Sequence, residues 1–282
     1  MSKGKDEFGD RMKNYEAVEA GRRFIPLLPV VARLDGKSFS KWTKGFKRPY
    51  DQRMSDLMVH TTQVLVQETQ ALIGYTQSDE ITLAWYSPDY KSQIFFDGRI
   101  MKMTSVLASM ATGYFNALVP SLIPERENHL AFFDCRVWQL PNLVEAVNTI
   151  LWRELDATKN SVSMAARNYY SHNQLHELGR AEMMDLLMVL EPPINWNNYP
   201  AFFKRGVYVQ RRRVMKKFTE KEKQFLPPQH EAHTNPDLVV ERSETRQIEL
   251  PPLSKVLNRV EVIFEGADPI TEAGWEDVNT SE

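Results

Sequence analysis

An apolar run that stops abruptly at an acid, Leu28-Pro29-Val30-Val31-Ala32-Arg33-Leu34 followed by Asp35-Gly36, dictates a sheet with a carboxylate at one end. A Val- and Leu-rich stretch of this length reads as a buried strand. A second acidic segment, Gln77-Ser78-Asp79-Glu80, lies between Ile73-Gly74-Tyr75 and Ile81-Thr82-Leu83-Ala84-Trp85-Tyr86, the pattern of a strand-turn-strand hairpin. If these strands are neighbours, Asp35, Asp79 and Glu80 converge at one sheet edge. Unpartnered carboxylates repel and are costly to desolvate, so such a cluster serves to hold a cation. All-oxygen ligation suits Mg²⁺, held by one or two carboxylates plus substrate phosphates, as in two-metal nucleotidyl transfer. The bland alternative is a turn, because Asp and Gly both favour turn conformations, and both readings stand at this point.

The order of elements narrows the fold further. The first strand, about Leu28 to Leu34, leads to a helix over Asp51 to Leu72, in which Met54, Leu57, Met58, Thr61, Val64 and Leu65 keep a 3-4 spacing and Asp51 is the N-cap. The hairpin follows. Phe95-Phe96-Asp97-Gly98 marks a turn before a helix over Arg99 to Leu118, and Leu130 to Trp138 reads as a strand. This β-α-β-β-α-β order is the ferredoxin-like or split-βαβ pattern, shared by polymerase palm and nucleotide-cyclase domains. The expected fold is α+β, with a palm-like core in residues 1–140 and an added helical subregion in 141–215, where Asn142 to Asp156 and Ser161 to Leu178 read as helices. From Lys216 a charged, Pro-rich extension (216–282) begins. Val260-Glu261-Val262-Ile263-Phe264 reads as one last strand, and an acidic tail runs from Glu265 to Glu282.

Composition excludes several classes. A chain of 282 residues with 42% hydrophobic and 26% charged residues is an ordinary globular protein, and net charge -2 argues against one that coats nucleic acid non-specifically. A local basic groove is still compatible with that charge. One cysteine, Cys135, permits no internal disulfide and fits a reducing cytoplasm. The segment Met1-Ser2-Lys3-Gly4-Lys5 lacks the apolar core of a secretory signal, and no apolar stretch approaches the roughly 20 residues of a spanning helix. The expected location is cytoplasmic, without a membrane partner.

Candidate phosphate ligands flank the acidic segments. Arg99 and Lys102 share a helix face, and Ser105 and Ser109 continue the row. A cation pair beside an acidic cluster suits a Mg²⁺-nucleoside triphosphate. The loop Gly36-Lys37-Ser38-Phe39 offers backbone N–H groups, and Ser38 and Ser40 offer hydroxyls, a cradle for a triphosphate that is not a Walker A motif. Two basic segments with interleaved aromatics, Lys41 to Arg48 and Phe202 to Tyr208, resemble surfaces that grip an RNA backbone and stack a base. Arg211-Arg212-Arg213 and Lys216-Lys217 either extend the second patch or pair with the acidic tail. His172 and His176 are spaced for a metal or for an ordinary helix face, and nothing suggests acyl-transfer chemistry.

Taken in order, Leu34-Asp35-Gly36-Lys37-Ser38-Phe39, Gln77-Ser78-Asp79-Glu80 and Arg99-x-x-Lys102 resemble the tRNA-His guanylyltransferase superfamily of 3′-to-5′ polymerases. Lys47-x-Pro49-x-Asp51, Phe133-Asp134-x-Arg136-Val137 and Leu151-Trp152-Arg153-x-x-Asp156 extend the match, which covers roughly residues 9 to 215. The resemblance implies that Asp35 and Asp79, with the Gly36 carbonyl, hold two Mg²⁺ ions, and that Glu80 supports them. It implies that Asp35, Gly36, Lys37, Ser38, Phe39, Ser40 and Ser78 contact the incoming GTP or other NTP. Arg99 and Lys102 would meet phosphates of that nucleotide or of the activating ATP. It also implies tRNA binding and a homotetramer. One segment departs: where tRNA-His-specific members carry His-Ile-Asn-Asn-Leu-Tyr-Asn, this chain has Thr158-Lys159-Asn160-Ser161-Val162-Ser163-Met164. With Gly9-Asp10-Arg11-Met12-Lys13-x-Tyr15-Glu16, this looks like the bacterial, archaeal and phage branch associated with template-dependent repair of 5′-truncated tRNAs. The alternatives are addition of the extra G to tRNA-His, a palm-fold nucleotide cyclase, and a non-catalytic RNA-binding palm.

Overall fold

In the computed structural model, which describes residues 6–272, helix α1 (Glu7–Ala20) precedes the first apolar run, which forms β1 (Val30–Gly36). Val30, Val31, Ala32 and Leu34 are fully buried, so β1 is covered on both faces, which is why its sequence is continuously apolar rather than alternating. Asp35 and Gly36 belong to the strand itself. After the short α2 (Phe39–Trp42), helix α3 (Gln52–Thr69) starts at Asp51, whose carboxylate accepts from the Arg53 N–H and caps it. It ends before the expected Leu72 because Gln70 turns left-handed, with φ 57°.

Strands β2 (Ile73–Gln77) and β3 (Glu80–Trp85) are joined by the turn Ser78-Asp79, with Ser78 at φ 51°. Helix α4 (Ile100–Leu122), with Arg99 as its N-cap, leads to β4 (Phe133–Gln139). These strands lie in the order β4-β1-β3-β2, all antiparallel, which is the ferredoxin-like arrangement. One face of the sheet packs on α3 and α4 through Leu34, Leu65, Leu83, Met103, Leu107 and Phe115. The other face packs on α5 (Leu143–Ala166), where Val147 and Ile150 meet Val31, Tyr75 and Ala84.

Beyond residue 141 the structure corrects the sequence reading. A single helix, α5, replaces the two expected there, because Ala157, Ser161, Val162 and Ala165 continue its buried stripe. Short helices α6 (His172–Leu175), α7 (Arg180–Met188) and α8 (Ala201–Arg205) follow. Strand β5 (Val207–Lys217), helix α9 (Glu220–Lys223) and strand β6 (Val239–Ile248) then complete a six-stranded sheet by adding β5 and β6 beside β2. The sheet therefore crosses the expected boundaries at residues 140 and 215. Val207–Gln210 pair with β2 and the Arg211 N–H donates to the Leu72 carbonyl at 3.0 Å; beyond it β5 continues with β6 as a two-stranded ribbon. Lys216 and Lys217 pair with Glu244 (2.8 Å) and Asp237 (2.5 Å), and Arg213 with Glu241 (3.6 Å), all of them acids that precede the tail. Val260 to Phe264 is not a strand. A π-helical turn, Glu261–Glu265, drops Val262 and Ile263 into the second core. Residues 1–5 and the tail from 273 lie outside the described residues. Among the described residues, no helix is long and apolar enough to cross a membrane.

Candidate active site

The ends of β1 and the β2–β3 turn meet because the strands are in register: Asp35 stands opposite Glu80, and the Gly36 N–H donates to the Asp79 carbonyl at 3.1 Å. Glycine is needed at position 36, since a Cβ there would overlap the Phe39 ring. Asp35, Gly36, Ser40, Ser78 and Asp79 line one side of a cavity of about 550 Å³. The other walls come from the loop Lys47 to Asp51, the first turns of α3, the Ala157–Met164 part of α5, and Phe202-Phe203 of α8.

The electrostatics of this edge are uneven. Burial pushes the Asp79 carboxyl up to about 6, and the nearby Asp35 and Glu80 add to the shift. The Ser78 hydroxyl donates to Asp79 at 3.1 Å and opposes it. Glu80 does not complete a carboxylate trio. Its two oxygens accept from Arg153 Nε and Nη2 at 2.6 and 2.9 Å, a bidentate pair buried between β3 and α5. Burial raises the Glu80 carboxyl and Arg153 pulls it back. The three acids do meet at one sheet edge, with Asp35 opposite Glu80, but Glu80 is committed to Arg153, and among the described residues no three His, Cys, Asp or Glu side chains gather to hold a metal. Two carboxylates and the Gly36 carbonyl remain. That donor set fits Mg²⁺, which takes one or two protein carboxylates and keeps waters and phosphates for the rest. A cation there would also offset the burial that holds Asp79 high and the smaller repulsion from Asp35 and Glu80.

The other predicted residues separate into groups. Ser40 and Ser78 reach the cavity, whereas Lys37 and Ser38 are exposed outside its lining. Phe39 is mainly a core residue, 4% exposed and packed on Trp42, Phe115 and Phe133. Arg99, Lys102 and Ser109 are not brought to Asp35 and Asp79. Phe115 is the part of α4 that reaches this end of the sheet, and Arg99 lies 16 residues earlier, about 24 Å along the helix. Arg99 lines a different cavity with Trp85 and Tyr86, and Lys102 Nζ sits 4.8 Å from the centre of the Phe96 ring. Ser109 is exposed on α4.

The basic-aromatic segments also divide. Trp42 is buried rather than displayed for stacking, while Lys47 and Arg48 line the cavity. Tyr208 is buried, its hydroxyl donating to Glu154 Oε2 at 2.6 Å, and Lys204 is 2% exposed, donating to the Asn197 carbonyl. Neither belongs to a surface patch.

Sequence reasoning assigned no chemistry to Tyr50, Arg153, Asp156 or Asn160. Tyr50 packs against Phe202 and Phe203, with ring centres 5.1 and 4.9 Å apart, and all three line the cavity. Arg153 bridges Glu80 to Asp156 (3.0 Å), which accepts from Asn160 at 3.3 Å, so the Trp-Arg-x-x-Asp segment tethers the cavity wall to β3. The Arg and Asp at i and i+3 of a helix were the available signal.

Comparison with known proteins gives consistent matches. The sequence profile of the family described as Thg1, tRNAHis guanylyltransferase, matches residues 9–141. Protein R259 of Acanthamoeba polyphaga mimivirus is 31% identical over 231 residues, 74% of this chain and 78% of its own. The tRNA(His) guanylyltransferase of Schizosaccharomyces pombe is 27% identical over 238 residues, covering 80% of this chain and 87% of that protein. Among solved structures, a bacterial tRNA(His) guanylyltransferase (Thg1)-like protein in complex with ATP superposes with TM-score 0.67 at 37% identity, over 72% of this chain and 88% of that one. A bacterial Thg1-like protein in complex with GTP gives TM-score 0.66 at 30% identity, over 89% and 95%.

Proposed function

Because the chain belongs to the Thg1 family of tRNAHis guanylyltransferases, we propose that it is a template-dependent 3′-to-5′ nucleotidyltransferase that repairs the 5′ end of truncated tRNAs. The observation that carries this reading is the Gly36 N–H···O=C Asp79 bond, which fixes two carboxylates and a carbonyl at the mouth of a cavity large enough for a nucleotide. Asp35, Asp79 and the Gly36 carbonyl are the residues that would hold two Mg²⁺ ions. When bound, Mg²⁺ lowers the pKa of the attacking hydroxyl and neutralises triphosphate charge. ATP first activates the RNA 5′-phosphate with release of pyrophosphate. The 3′-hydroxyl of the incoming nucleotide then attacks that phosphorus with release of AMP.

This chain's own groups have separate tasks in the reading. Ser78 orients Asp79 by donating to it, Ser40 with Gly36 and Phe39 faces the triphosphate, and Lys47 and Arg48 supply positive charge from the opposite wall. Arg153 is a positioning residue: it holds Glu80, and through Glu80 the start of β3, against α5. Arg99 and Lys102 are too far along α4 to serve the same nucleotide within one chain. A cytoplasmic homotetramer is the assembly in keeping with the family and with the single buried cysteine, whose thiol burial pushes up to about 12.

Repair is favoured over strict tRNA-His specificity by residues 158–164. The Thr158, Ser161 and Ser163 hydroxyls donate to helix carbonyls of Glu154, Thr158 and Lys159, so they are committed within α5 rather than aimed at a base. A site without donors and acceptors for an anticodon cannot reject the wrong one by leaving them unpaired. The test uses end-labelled 5′-truncated and full-length tRNAs with Mg²⁺, ATP and each NTP in turn. Changing the base opposite the missing nucleotide should change which NTP is added, and swapping the His anticodon should alter efficiency by less than about tenfold. Loss of activity on the anticodon swap, or G added whatever lies opposite, would favour the tRNA-His reading. A cyclic product from NTPs without RNA would favour a cyclase.

A further inference from the structure

A second cavity, of about 1520 Å³, lies at the opposite end of the sheet from Asp35 and Asp79. β3 spans the separation, running from Glu80 beside the first site to Trp85 in the wall of the second, five residue steps or roughly 17 Å. Its other walls are the N-terminus of α4 and the base of the β5–β6 ribbon, which contribute Arg99, Arg211, Arg212 and Arg246. Three elements distant in sequence thus bring guanidiniums to one concavity.

Among the described residues these cations are only partly neutralised, although Glu68, Asp89 and Glu265 also line the cavity. Arg211 Nε is buried and has no hydrogen-bond partner among the described residues, an arrangement with a desolvation cost that a bound acceptor would remove. Burial pulls the Arg211 guanidinium below its ordinary value and the neighbouring Arg213 adds to this. Arg212 is lowered by burial and by Arg246, with Asp268 offsetting part of the effect. Arg212 Nε is anchored on Gln210 Oε1 at 2.6 Å, and Arg99 Nε on the Phe96 carbonyl at 3.3 Å, so both side chains are oriented by the fold. Several carboxylates around the rim are already engaged: Asp97 by Arg23, and Glu241 by Arg213. Arg242 is likewise occupied by Glu222. Arg212 and Arg246 share one face of the ribbon, and Arg211, the preceding residue of β5, lines the cavity from the other face.

We infer that this cavity is a second phosphate-binding site, formed by Arg99, Arg211, Arg212 and Arg246, and that its occupant is the sugar–phosphate backbone of the RNA substrate. Guanidinium forks match phosphate oxygens in number and geometry. The occupant is extended rather than compact, because the cavity exceeds the roughly 300–1,000 Å³ of ordinary small-molecule pockets and continues onto a projecting ribbon. Identifying that backbone as RNA rests on the tRNA reading above; the phosphate chemistry does not.

The full-length protein and its Arg246→Gln, Arg211→Gln and double variants are compared by circular dichroism, then in two binding series. The first titrates tRNA across a range of salt; the second titrates tripolyphosphate and Mg²⁺-ATP. Arg246 is exposed, so its variant is expected to fold even if Arg211→Gln does not. The expected result is weaker tRNA binding at low salt, by roughly ten- to a hundredfold for the double variant. The slope of log K against log salt should fall by about one for Arg246→Gln and about two for the double variant. If the variants lose tripolyphosphate and ATP affinity but keep the tRNA slope, the RNA occupant is overturned. If nothing moves in either series, the phosphate site itself is overturned. Should wild-type protein neither bind nor extend tRNA, the proposed function falls, while the tripolyphosphate series still decides whether the arginines form a site.

Discussion

At the scale of single residues, Asp79 carries a cost that the rest of the fold supports. Its carboxyl is raised from the ordinary 3.8 to about 6, so the folded chain binds this proton more tightly than the unfolded chain does. The sign follows from linkage: the penalty is fully present above about pH 6, shrinks as pH falls through that value, and is gone below the unfolded pKa. Asp79→Asn should therefore stabilise the metal-free protein at pH 7.5 by about 1–2 kcal/mol, less than the roughly 3 that two pKa units give a fully desolvated group. The gain should vanish near pH 4, and nucleotide transfer should be lost. Denaturant melts of both proteins in a chelator at the two pH values check this, and equal gains at both would show that the charge is not the cause. Gly36→Ala acts on shape instead. The added methyl must displace the Phe39 ring from the core, with a cost of about 1–3 kcal/mol for overpacking, read as a lower thermal midpoint. Asp35 and Asp79 were legible in the sequence because each ends or turns an apolar run. The commitment of Glu80 to Arg153 was not, since 73 residues separate them.

At the scale of elements, the Glu80–Arg153 pair joins β3 to α5 across a buried interface. Removing one partner strands a buried charge, so Arg153→Met alone should cost about 3–5 kcal/mol, whereas Glu80→Met with Arg153→Met should recover most of that loss. A double-mutant cycle by chemical denaturation measures the coupling; additive single effects would show that the pair does not fix the two elements. Helix α4 shows the limit of reading along a helix. Arg99 is the N-cap rather than a helical residue, and its side chain and that of Lys102 both meet Phe96; the 3-4 spacing is silent on which end of the sheet the helix N-terminus meets. That end is set by Phe115 packing on Phe39 and Phe133.

At the scale of the whole molecule, the region after residue 216 is part of the core rather than an appendage. Leu253, Val256, Val262 and Ile263 are fully buried against α5 and the sheet, and the Leu253 N–H donates to the buried Glu154 at 2.8 Å. A chain ending at Lys217 should lose cooperative unfolding, because it exposes this half of the second core and leaves Glu154 short of a partner. A truncated chain with a sharp thermal transition would contradict that. In the intact protein, Mg²⁺ with GTP should raise the melting temperature, by an amount equivalent to about 2.7 kcal/mol at a hundredfold excess over Kd, and Asp35→Asn should abolish the Mg²⁺-dependent part.

The sequence by itself determined the β-α-β-β-α-β core, the buried β1 and the two acidic segments, because each follows from apolar periodicity and from turn chemistry over a few neighbouring residues. Tertiary structure alone decided three things: that Arg99 and Lys102 lie away from Asp35 and Asp79, that Glu80 belongs to Arg153, and that β5 and β6 enlarge the sheet. All three depend on contacts between residues far apart in the chain. For β5, pairing with β2 and burial of Val207 to Gln210 override the Arg- and Lys-rich composition that hides the strand.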